Sequence, residues 1–78
     1  MSWTQQELIE FCNRKNIPLD AYSFYKDQDD SFCLEKIGGE WLIYYSERGS
    51  KNELAWAKSE AQALNILKLF LLEAFKSI

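Results

Sequence analysis

Two glycine-marked breaks, at Gly38-Gly39 and Gly49-Ser50, cut the stretch 31–57 into three runs of strand-forming length. Glycine at such a gap supplies the positive φ that a two-residue hairpin demands, so the spacing predicts a meander of three antiparallel strands. The first turn joins Ser31–Ile37 to 40–48 and sets Lys36 opposite Trp41, Leu34 opposite Ile43, and Phe32 opposite Tyr45. The second sets Tyr45 opposite Leu54 and Ile43 opposite Trp56. Both registers place Phe32, Leu34, Trp41, Ile43, Tyr45, Leu54 and Trp56 on one face, and a one-residue slip in either would break that agreement.

Helical patterns flank the meander. Thr4 and Glu7 have capping-box spacing, and Trp3 and Leu8 have the spacing of a hydrophobic staple. Leu8, Phe11 and Cys12, with Ile9 at the edge, form the stripe of a first helix, and Pro18 forces its end near Lys15. Ser59 and Gln62 repeat the capping spacing ahead of a long helix reaching about Lys76, which at 1.5 Å per residue is roughly 27 Å long. Its stripe is Ala63, Leu67, Phe70, Ala74 and Ile78, widened by Leu64, Leu71 and Phe75. A short strand is expected within 19–25, where Leu19, Tyr22 and Phe24 are apolar. The expected fold is α+β over a single domain, residues 1–78: a first helix, a three- or four-stranded antiparallel sheet, and a long C-terminal helix packed across it.

A chain of 78 residues buries only about 60–65% of its unfolded surface, and this one fills its small core with three Trp, four Tyr and five Phe. Twelve acidic against nine basic residues leave a net charge of −3, the wrong sign for a nucleic-acid binder and the right one for a basic protein partner. The apolar run 69–72 is too short to span a bilayer, and the opening residues show no basic segment followed by an apolar one. The reading is therefore of a cytoplasmic protein without membrane contact. Cys12 and Cys33 form no CxxC pair and are read as buried free thiols.

The chain has no histidine, which excludes Ser-His and Cys-His nucleophile pairs and histidine-ligated metals. No glycine-rich phosphate loop is present, since the three glycines fall in the two turns. Asp27, Asp29 and Asp30 suggest calcium, but the EF-hand glycine position is Phe32 and its closing glutamate position is Gly38. These aspartates read either as a solvated loop or as a surface for a basic partner. Glu35, Glu40, Glu47 and Glu53 have no apolar pocket to separate their acidities, so the residues point to a protein that is not an enzyme and needs no metal or cofactor.

Two further surfaces carry alternatives. The run Ser46-Glu47-Arg48-Gly49-Ser50-Lys51 is either a charged turn or a recognition loop. On the registers above, the face opposite the core carries Cys33, Leu42, Tyr44, Ala55 and Ala57, too apolar for full solvation. Either the first helix covers it or it is an interface. Leu69 and Leu72 lie outside the narrow helical stripe, as core breadth or as an oligomer contact. Leu42, Tyr44, Leu69 and Leu72 are accordingly the candidates for self-association as a homodimer.

The segments Cys33-Leu34-Glu35-Lys36, Trp41, Tyr44-Tyr45-Ser46-Glu47-Arg48-Gly49, Lys51 and Leu54 together resemble a small immunity-protein family encoded beside bacterial polymorphic toxins. The resemblance covers about half of the chain, and the Tyr-Tyr-Ser-Glu-Arg-Gly run is its most specific part. It implies a small α+β protein that binds a cognate toxin domain, often a basic nuclease, and occludes it inside the producing cell. Tyr44, Glu47, Arg48 and Lys51 are the exposed matching positions it offers for recognition, joined on charge by Asp27, Asp29 and Asp30. Trp56, where a smaller or phenylalanine-like side chain is expected, and the leucine-rich tail after Glu60 depart from the family pattern. The alternative is a self-associating structural or regulatory module.

Overall fold

The computed structural model describes residues 4–76. Helix α1 (Gln5–Arg14) opens on the expected capping box: the Thr4 hydroxyl accepts from the Glu7 N–H at 3.1 Å, and the Glu7 carboxylate accepts from the Thr4 N–H at 3.0 Å. The proposed Trp3 staple lies outside the described residues. After Pro18 a 3₁₀ turn (Leu19–Ala21) leads into β1 (Tyr22–Phe24), followed by β2 (Ser31–Ile37), β3 (Glu40–Glu47), β4 (Ser50–Ala57) and helix α2 (Glu60–Ala74). The strands lie in the order β1-β2-β3-β4.

The first hairpin has the expected register, with Phe32 opposite Tyr45, Leu34 opposite Ile43 and Lys36 opposite Trp41. Of its two glycines only Gly38 has a positive φ, 63°, which is the sign pattern of a type II′ turn. The second hairpin departs from expectation twice. Its turn residues are Arg48 and Gly49, at φ 51° and 81°, so that Glu47 faces Ser50. The two positive values mark a type I′ turn, whose twist suits the flanking strands. A bulge then falls between the pairs Tyr44–Glu53 and Ile43–Ala55, leaving Leu54 as the extra residue. Beyond it Ala55 and Ala57 join the core face, while Trp56 stands opposite Leu42 on the other face and is 44% exposed. The expectation that Trp56 is a core residue is thereby corrected.

Both helices pack on the same face of the sheet. Leu8 and Cys12 of α1, Leu34 and Ile43 of the sheet, and Ala63, Leu64, Leu67 and Leu71 of α2 form one fully buried cluster. Ser59 accepts from the Gln62 N–H at 3.1 Å as the α2 cap. The Gln62 side chain accepts from the Lys58 N–H at 3.0 Å instead of the cap amide, so the expected reciprocal box becomes a one-residue variant. Ile78, assigned to the stripe, lies outside the described residues. A polar clamp fixes the two helix starts: Glu60 accepts from the Tyr25 hydroxyl at 2.6 Å and from the Gln5 amide at 3.0 Å, and Trp41 Nε1 donates to the Tyr25 hydroxyl at 3.0 Å. These bonds hold the Glu60 carboxyl below its ordinary range, through Tyr25 first and then Gln5.

Strand β1 pairs with β2 in parallel, Tyr22 with Phe32 and Phe24 with Leu34, so the sheet is mixed and not wholly antiparallel. This has a topological consequence. A parallel neighbour cannot be reached by a turn in the sheet plane, so the connecting chain must pass over one face. With only three residues in β1 to traverse, residues 25–30 suffice. The helices occupy one face, and the connection crosses the other.

Candidate functional site

The crossover determines what the acidic residues do. On the face away from the helices, Cys33, Leu42 and Tyr44 form a second small buried cluster, with Leu42 3% and Tyr44 2% exposed. The first helix does not cover this cluster, being bound into the core on the other face. The 25–30 connection does. The Tyr44 hydroxyl donates to Asp27 Oδ1 at 3.1 Å, the Ser31 hydroxyl donates to the Gln28 carbonyl at 2.6 Å, and the Cys33 thiol lies 3.7 Å from the same carbonyl. Gln28 Nε2 reaches back to the Asp20 carbonyl at 3.0 Å. Burial above all, then the Cys33 thiol and the Asp27 carboxylate, push the Tyr44 hydroxyl well above its ordinary range.

At its far end the connection is tied to the second hairpin. Asp29 Oδ1 accepts from the Gly49 N–H at 3.3 Å, and the Asp30 N–H donates to the Ser46 carbonyl at 2.7 Å. Asp30 sits at φ 57°, a conformation that Asp and Asn adopt more readily than other side chains. The loop and the hairpin tip therefore form one continuous edge, held by backbone and carboxylate bonds. The three aspartates are exposed, as a solvated loop requires, and the loop is also a structured crossover in which Asp27 and Asp29 are fasteners. Among the described residues no side chain pairs with the Asp30 carboxylate.

The hairpin side of this edge places Glu47 and Arg48 in solvent at the tip. Lys51 also lies at the surface, but its ammonium is engaged, 3.0 Å from Glu35 and 5.0 Å from the centre of the Tyr44 ring. The bond to Glu35 holds the Lys51 ammonium above its ordinary range. Lys51 and Asp27 thus both contact Tyr44 of the outer cluster, one at its ring and the other at its hydroxyl.

Two sets of expected site residues change accordingly. Tyr44 and Leu42 are not an accessible surface, because the crossover and the neighbouring strands bury them. The expectation that Tyr44 is an exposed position is thereby corrected. Leu69, by contrast, is 53% exposed and Leu72 is half-buried, so the surplus apolar arc of α2 does reach the surface there.

Sequence reasoning missed a third feature. Ala21, Asp30, Phe32, Tyr45, Leu54, Ala74 and Phe75 line an open groove of about 470 Å³ where the end of α2 leaves the sheet. The Phe32 and Tyr45 rings meet edge-on at 4.9 Å, and Phe32 stacks on Phe70 at 6.2 Å. The signal lay in the sequence as Phe32, Tyr45 and Leu54 on one face, but the groove exists because α2 ends at Ala74 and the bulge leaves Leu54 on the rim.

Among the described residues no three acidic, cysteine or histidine side chains converge on a point that would hold a metal ion. No described helix is long and apolar enough to cross a membrane. Comparison with known proteins finds no matching family model, curated protein or solved structure.

Proposed function

We propose that this chain is a non-catalytic binding protein that captures a basic protein partner on the edge formed by the 25–30 crossover and the β3–β4 hairpin tip. The observation that carries this reading is the tie between Asp29 and the Gly49 N–H, seconded by the bond from the Asp30 N–H to the Ser46 carbonyl. Together they present Asp30 and Glu47 on a single pre-formed edge. An edge ordered before binding loses less conformational entropy on capture, and acidic side chains on it steer a basic partner at long range.

The finer proposal is a cytoplasmic immunity protein that neutralises a cognate toxin by occluding a basic active site. Its support is the Tyr44–Gly49 resemblance together with this edge. The resemblance takes a second meaning in the fold. Tyr44 serves the site from beneath by anchoring Asp27, while Glu47 and Arg48 face outward.

Co-expression tests the proposal. The product of the reading frame adjoining this one in the host genome is induced in a sensitive strain, with and without this chain. Growth arrest by that product alone, relieved by the wild-type chain and relieved less by Glu47→Lys or Asp29→Lys, is the expected result. Rescue equal in all three chains sinks the proposed surface, and a harmless neighbour that never co-purifies with the chain sinks the immunity reading.

A further inference from the structure

We infer that the groove between the end of α2 and the sheet is an anchor site for a lysine or arginine side chain of a protein partner. The inference rests on the partner being basic and specifies which contact the groove makes.

The lining has the two parts that such a side chain needs. Ala21, Leu54 and Ala74 give an apolar lining for an aliphatic stem, and Phe32, Tyr45 and Phe75 supply aromatic rings that attract a cation. Asp30 adds a carboxylate at the rim that pairs with no described side chain. Its position is set from both sides, by the bond of its N–H to Ser46 and by the start of β2 at the next residue.

A second, independent attraction comes from α2. Helix C-termini carry partial negative charge from unpaired carbonyls, and the last turn of α2 contains no basic residue to offset it. Lys76 follows the helix, but its ammonium is paired with Glu73 at 2.8 Å. The groove therefore combines aromatic rings, a free carboxylate and a helix C-terminus, and among the described residues no cation lines it. Elsewhere the protein satisfies its own rings in this way: Lys36 lies 5.1 Å from the Trp41 ring centre and Lys51 lies 5.0 Å from that of Tyr44.

An uncharged apolar occupant would leave the carboxylate and the helix end unanswered. A plain cation would leave the apolar lining without a partner. A stem bearing a terminal charge fits both. The groove adjoins the acidic edge through Asp30, so one partner segment can reach both.

The test needs no toxin, so its failure and failure of the immunity reading are separable. ¹⁵N-labelled protein is titrated with Nα-acetyl-lysine N-methylamide, its arginine counterpart and the uncharged norleucine counterpart. For side chains of this size a Kd on the order of 1–10 mM is expected. Saturating shifts should centre on the amides of Phe32, Tyr45, Leu54 and Phe75. The charged compounds should bind about five-fold or more tighter than norleucine. Asp30→Asn, which suits the same positive φ, should remove most of that difference, while Tyr45→Leu should weaken lysine and arginine more than norleucine. Equal affinity for norleucine and lysine, shifts spread over the acidic surface at large, or an Asp30→Asn protein that binds like wild type would each overturn the inference.

Discussion

Replacing Tyr44 by Phe removes one oxygen and leaves the ring, so it isolates the bond that fastens the crossover to the sheet. The hydroxyl is 3.1 Å from Asp27 Oδ1, and the ring is 2% exposed. A hydrogen bond to a charged acceptor contributes about 1.5–3 kcal/mol. Asp27 is exposed and regains water when the bond is lost, which brings the loss to the bottom of that range or just below it, about 1–1.5 kcal/mol. In a domain of this size that is a fall in Tm of roughly 4–10 °C. Asp27→Ala leaves the buried hydroxyl without its acceptor and should cost a similar amount. The decisive quantity is the coupling in a double-mutant cycle, measured by urea denaturation of the four proteins. About 1 kcal/mol is expected, because each single change removes the same bond. The control is Asp30→Asn, which breaks no fastening and should change stability by less than about 0.5 kcal/mol. A coupling below about 0.3 kcal/mol, or an Asp30→Asn protein as unstable as Asp27→Ala, would refute the division between fasteners and free acid.

Other consequences follow from the packing. Leu67→Ala empties a fully buried site between helix and sheet and should cost about 2–5 kcal/mol, whereas Leu69→Ala at an exposed site should cost less than about 0.5 kcal/mol; chemical denaturation of both checks the direction in which α2 faces. The Ser46 hydroxyl is fully buried and has no hydrogen-bond partner among the described residues. Ser46→Ala should therefore leave stability unchanged or raise it by up to about 1 kcal/mol, as read from the denaturation midpoint. Glu60 has a folded pKa below its ordinary value of 4.5, so its contribution is fully present above that value and is lost as pH falls through the lower folded pKa. The difference in thermal stability between wild type and Glu60→Gln should be constant near neutral pH and shrink below about pH 4.5.

Local chemistry was legible wherever neighbours in sequence are neighbours in space. The Thr4–Glu7 box, the stop before Pro18 and the Gly38-Gly39 hairpin each depend on residues a few positions apart. Their contacts are those the spacing implies. The second hairpin shows the limit. A turn one position earlier shifts the register by two and leaves the faces unchanged, but the single bulged residue at Leu54 reverses the faces of Ala55, Trp56 and Ala57, because strand side chains alternate with a period of two. No signal in the residues themselves marks the bulge.

The parallel pairing of β1 was hidden for a different reason. Three residues are too few to show a period, and apolar patterning does not distinguish parallel from antiparallel partners. Once β1 is parallel, the position of the acidic loop follows from topology, and with it the roles of Asp27 and Asp29. Charge alone grouped the three aspartates, and geometry separates them. The aromatic groove needed one more fact, the point at which α2 ends.

The most direct measurement of the proposed capture is amide hydrogen exchange on the chain, alone and in complex with the product of the adjoining reading frame. Slowed exchange should concentrate in residues 26–30 and 45–50, extending to Phe32 and the end of α2, with the exposed flank around Leu69 unchanged. Protection centred on Leu69 and Leu72, with none at the crossover or hairpin tip, would contradict the proposed capture surface.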